Sequence, residues 1–120
     1  MDADQAIADL TEISPQVKEV VVIAAGGAVG GANVPTERSE AIAEVAQKLL
    51  AGAGDGVAQL EAATAKGSVF VVRDGDRVIA ATTSPEPTVG LVFYDLKTCL
   101  RSIDEPKPKR ARKKPGDAAA

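Results

Sequence analysis

The chain has no histidine, no tryptophan and one cysteine, Cys99. Without an imidazole there is no His-based acid–base chemistry, no Ser-His or Cys-His nucleophile and no ordinary zinc site. A lone cysteine closes no intrachain disulfide, which suits a reducing compartment, and the expected location is cytoplasmic. Aromatic residues are scarce as well: Phe70, Phe93 and Tyr94 make up 2% of the chain. The core must therefore be built from Val, Ile, Leu and Ala, and a small core of that kind often gains stability by association. The longest apolar run, 20–25, falls far short of the ~20 residues a membrane helix needs. Met1-Asp2-Ala3-Asp4 lacks the positive charge of a secretory signal.

What remains is 120 residues, 45% of them apolar, enough for one domain with a modest core. The net charge of −3 conceals two unlike segments. Residues 1–105 hold 8 Lys/Arg and 16 Asp/Glu, a balance of −8. Residues 106–120 hold 6 Lys/Arg and 1 Asp, a balance of +5. The expected organisation is a domain over 1–105 and a disordered basic tail over 106–120.

Hydrophobic periodicity predicts the elements. Asp4 can cap a first helix carrying Ala6, Ile7, Leu10 and Ile13, which Ser14-Pro15 terminates. Residues 17–25 are apolar on both alternating faces, as in a strand covered on both sides. Gly26-Gly27 signals a tight turn into a weak return strand over 28–34, whose Gly30 and Gly31 suit an edge or a bulge. Thr36 or Ser39 caps a long helix with Ile42, Val45, Ala46, Leu49 and Leu50 on its apolar stripe, ending near Gly52 and Gly54. Residues 60–65 are rich in alanine and compatible with helix, but a strand there completes a meander with 69–73 and 77–83 across the Asp74-Gly75-Asp76 hairpin. Thr88 caps a last helix with Val89, Val92, Phe93, Leu96, Cys99, Leu100 and Ile103 inward, leaving Tyr94, Asp95 and Lys97 on a solvated face. Cys99 reads as a buried small hydrophobe rather than a reactive thiol.

The glycine-rich stretch 26–31 is not a phosphate loop: it lacks the Lys-Ser/Thr of GxxxxGK[ST]. Pro35 also separates it from the helix that a dinucleotide loop must open into. Asp74-Gly75-Asp76 carries only a fraction of a calcium loop and reads as a turn. No cofactor and no metal are expected.

In this order, VVVIAAGGAVGGANVP, SEAIAEVAQKLL, VFVVRDGDRVIAAT and GLVFYDLKTCLRSI resemble the Roadblock/dynein light chain family, over residues 4–103. The sequence departs from the family at its first hairpin, where Ala25-Gly26-Gly27 replaces a frequent Asp-Gly. The resemblance implies an α+β fold, ordered α-β-β-α-β-β-β-α. A five-stranded antiparallel sheet would lie between one long helix and two terminal helices. It further implies a homodimer joined through the long helix and third strand, here Ala46, Leu49, Leu50, Ala53, Leu60, Ala62 and Thr64, and no enzyme activity. Bacterial and archaeal members commonly partner small Ras-like GTPases, and eukaryotic ones serve dynein or lysosomal signalling assemblies. The leading expectation is thus a non-catalytic dimeric adaptor for a small GTPase or a related signalling partner.

A second reading rests on the tail. Lys107, Lys109, Arg110, Arg112, Lys113 and Lys114 could contact nucleic acid or an anionic membrane surface, remain a solvated extension, or dock on an acidic surface of the domain itself or of a partner. No aromatics are interleaved for base stacking. Surface ion pairs at ~0–1 kcal/mol each do not clearly exceed an ordering cost of ~1–2 kcal/mol per residue, so the tail is expected to be mobile and dispensable for folding.

Overall fold

A computed structural model describes residues 1–103, so every basic-tail residue named above, and the boundary at 105, lies outside the described residues. The elements run α1 (Ala3–Ile13), β1 (Val17–Ile23), β2 (Val29–Ala32), α2 (Thr36–Ala53), β3 (Gln59–Thr64), β4 (Gly67–Asp74), β5 (Arg77–Thr83) and α3 (Val89–Ser102). The strands form one antiparallel sheet ordered β2-β1-β5-β4-β3. Strand β1 is interior, and β2 and β3 are the two edges.

Alternation along the strands divides the core in two. Val20, Val22, Phe70, Val72, Ile79 and Ala81 face α1 and α3, where Ile7, Leu10, Val92, Leu96 and Leu100 cover them. Phe70 is fully buried and meets Phe93 edge-on, with ring centroids 5.0 Å apart at 73°. Val21, Ile23, Val71, Val78 and Ala80 face the other way, beneath Ile42, Ala43, Ala46 and Leu50 of α2. Helix α2 packs over β2, β1 and β5, α3 over β4 and β5, and α1 over β1 and β2.

Two glycines have geometric reasons. A Cβ on Gly31 would stand 2.7 Å from the Ala3 Cβ, so this glycine lets α1 lie close on the edge strand. Gly67 has φ +147, and its missing Cβ would run into the Thr83 carbonyl oxygen, so only glycine fits where β4 begins. In the Asp74–Arg77 turn Gly75 supplies a positive φ of 67°, as its hairpin signal requires.

The caps differ from the sequence reading. Asp2, not Asp4, caps α1, accepting the Gln5 N–H at 2.8 Å, while Asp4 sits in the first turn. Helix α2 starts behind Pro35, which has no capping side chain; Ser39 is buried and its hydroxyl donates to the Thr36 carbonyl at 2.7 Å. Thr88 occupies the cap position of α3 but makes no side-chain cap bond. Asp95 is not on the solvated face: it is 8% exposed, beside Cys99 and Asp9 where α3 meets α1. Packing of α1 against α3 buries that flank, an arrangement that one helix's periodicity does not encode.

Candidate functional site

The open edge at β3 and the adjacent flank of α2 form the surface of interest. Pairing of Leu60 with Val71, Ala62 with Val69 and Thr64 with Gly67 puts Leu60, Ala62 and Thr64 on the α2 side of the sheet. Helix α2 covers the other half of that face, so β3 and β4 meet its flank as an open step. Leu49, Leu60 and Val69 pack half-buried along the rim of the core there. Val45, 48% exposed, lies one turn before Leu49.

Of the seven residues expected at a dimer interface, Leu49, Leu60 and Ala62 are half-buried on this step, and Ala53 and Thr64 are exposed at its margins. Ala46 and Leu50 are not available to a partner: they are 0% and 7% exposed and pack on the protomer's own sheet. Helical spacing groups Ala46 and Leu50 with Leu49, yet only the Leu49 side of the stripe looks outward.

Periodicity alone assigns Val45 to the core and gives no reason to include Val69 in this surface. A signal is present, because the stripe Ile42, Val45, Ala46, Leu49 and Leu50 spans about 140° of the helix at 100° per residue, wider than the ~100° that one buried face needs. The excess arc is the flank that faces β3.

A polar latch closes the same step at its far end. The Arg38 guanidinium, on α2, donates through Nε and Nη2 to the two carboxylate oxygens of Glu19 on β1, each at 2.8 Å. Thr82 on β5 donates its hydroxyl to the same carboxylate at 3.0 Å. The Arg38 hydrogen bond, opposed by partial burial and helped by Thr82, holds the Glu19 carboxyl below its ordinary range. At the other end Arg73 clasps the segment leading into β3, donating from its side chain to the Val57 carbonyl at 2.6 Å and from its backbone to the Ala58 carbonyl at 2.7 Å. Arg73 thus fixes the entry to β3, while the latch ties α2 to β1 and β5.

No chemistry-bearing cluster joins this surface. Among the described residues no group of three or more His, Cys, Asp or Glu could hold a metal ion. Cys99 is buried where α3 meets α1, and burial, with the Asp9 carboxylate adding to it, pushes its thiol up to about 11. No described helix is long and apolar enough to cross a membrane. The arrangement can pair backbone to backbone and cover apolar surface.

No family model matches the sequence, and no curated protein matches it. Solved structures do match. A Roadblock/LC7 domain from Streptomyces avermitilis superposes with a TM-score of 0.74 at 18% identity, covering 85% of this chain and 94% of that one. Another structure of that domain from the same organism gives 0.73 at 20% identity, covering 86% and 99%. MglB of Myxococcus xanthus gives 0.67 at 15% identity, covering 81% and 87%. The chain therefore has the Roadblock/LC7 fold that the ordered sequence pieces resemble.

Proposed function

We propose that this protein is a non-catalytic adaptor that pairs with a second copy through α2 and β3 and, as a dimer, binds a small Ras-like GTPase. The observation that carries this reading is the open β3 edge beside an apolar flank of α2 that no described element covers. An unpaired strand exposes a row of backbone donors and acceptors, and proteins seldom leave such an edge open beside apolar side chains unless a chain joins it. Two copies related by a two-fold axis would extend the sheet through β3 and bring Val45, Leu49 and Ala53 of each α2 against the other. Ala62 and Ala53 keep the step shallow enough for close approach.

Support for the partner class comes from the resemblance, since family members of bacterial type commonly serve small Ras-like GTPases. The lack of any histidine in the sequence, and of a metal-binding cluster among the described residues, supports a role exerted by contact rather than by chemistry of its own. The test is to immobilise the full chain and titrate small GTPases from the same genome, loaded with GDP or a non-hydrolysable GTP analogue, with nucleotide turnover followed in parallel. Saturable binding that distinguishes the two nucleotide states supports the reading. Equal or absent binding for every GTPase, or GTP turnover by the purified chain alone, refutes it.

A further inference from the structure

We propose that the basic segment 107–114 folds back within its own chain and lies along the open edge of β2, in the acidic groove between the start of α1 and the outer flank of α2. Strand β2 ends the sheet on the side opposite the step at β3. A groove of about 800 Å³ runs along it, with Asp4 of α1 on one wall and Glu40 and Glu44 of α2 on the other. Among the described residues no lysine or arginine lines this groove, and of its acids Glu44 shares an exposed ion pair with Lys48 at 3.0 Å. Gly30 lies exposed on the edge strand, at the place where its register with β1 shifts between Val22 and Ile23.

The chain leaves the described domain at this place. Ile103 lines a neighbouring cavity of about 680 Å³ together with Asp2, Asp76, Arg77 and Gly30, so the last described residue opens onto the same cavity as the edge strand. Extended, residues 104–108 reach about 17 Å at ~3.3 Å each, enough to bring the basic residues after them alongside β2. The prolines at 106, 108 and 115 lack an N–H, but Lys109-Arg110-Ala111-Arg112-Lys113-Lys114 between them contains none. Six consecutive residues able to donate match a strand of four.

Ion pairs at an exposed surface do not by themselves balance the entropy of ordering such a segment. An open edge changes that comparison, because strand addition supplies backbone hydrogen bonds along with the charge complementarity. The docked segment would cap an edge that is otherwise free to pair with other chains, and a polyanionic surface would have to displace it from Asp4, Glu40 and Glu44.

Paramagnetic relaxation tests this in the full chain. A spin label at Ala118→Cys, with Cys99 buried and unlabelled, should broaden the amide resonances of Val29–Ala32 and leave those of Gln59–Thr64 sharp. The broadening should vanish in the label-bearing Glu40→Lys/Glu44→Lys variant and at about 0.5 M salt, where the screening length falls below ~5 Å. It should also be absent when isotope-labelled chains without the spin label are mixed with spin-labelled, unenriched chains. Deleting 106–120 should speed amide exchange on β2 at least about fivefold without changing β3. Unbroadened β2 resonances, broadening centred on β3, broadening in the mixed sample, or equal exchange with and without the tail would each overturn the proposal.

Discussion

Replacing Val45 by aspartate tests the proposed dimer separately from the fold. Val45 is 48% exposed in the protomer, so about half of its side-chain burial is still to be gained when a partner covers it. Full burial of a valine is worth roughly 1.5–3 kcal/mol, which leaves ~1 kcal/mol for the exposed half. A two-fold interface uses the residue twice, so the dimer loses about 2 kcal/mol before any charge effect. That corresponds to a roughly 30-fold weaker association. Two carboxylates brought toward the same axis and partly desolvated raise the penalty further. The protomer itself loses little, because a surface substitution costs about 0.5 kcal/mol and the lower helix propensity of Asp adds at most ~0.7. Sedimentation velocity across a concentration series, with far-ultraviolet circular dichroism on the same samples, reads both quantities. The expected result is a folded V45D chain whose dissociation constant rises at least about 30-fold. A dimer of unchanged affinity would show that α2 does not face the partner, and the argument from its exposed flank would fail.

Three other perturbations address the protomer. Gly67→Ala places a Cβ against the Thr83 carbonyl at φ +147, a backbone region nearly reserved for glycine; urea titration should show a loss of at least ~1–3 kcal/mol, and a loss below about 0.5 would contradict the strain. Glu19→Gln removes the latch to Arg38: because the folded carboxyl is held below its ordinary value, the parent's advantage is complete above about pH 4.3 and disappears as pH falls through the lowered folded value. Thermal melts of both proteins from pH 3 to 7 should therefore converge at the acid end, and a pH-independent gap would refute the account. Burial pushes the Cys99 thiol from 9.0 to about 11, so its reaction with a thiol reagent at pH 7.5 should be at least about 100-fold slower in the folded chain than in denaturant. Labelling at comparable rates would mean that the helix α3 packing opens readily.

The parts of this fold that are legible in the sequence are those a single element records in its own periodicity. Alternation in 17–23 and 69–73 places both faces of the sheet, and Gly75 marks its hairpin. The strand at 59–64 is harder, since alanine favours helix; only the need to complete a meander points to it, and the structure bears that out. What a sequence does not record is which part of a helix's apolar stripe its own core covers and which part it leaves exposed. Ala46 and Leu50 share a stripe with Leu49, and only the position of α2 over β2, β1 and β5 turns the first two inward and leaves Leu49 and Val45 at the step. Caps fail for a related reason: Asp2 and Asp4 are both competent acceptors, and where α1 starts decides between them. The latch of Glu19, Arg38 and Thr82 joins residues up to 63 positions apart, a separation over which local pattern carries no information. Residues that serve the fold leave a local trace, whereas those of the proposed interface are distinguished only by what the chain leaves uncovered, which explains why the best clue to this surface is an apolar stripe too wide for one buried face.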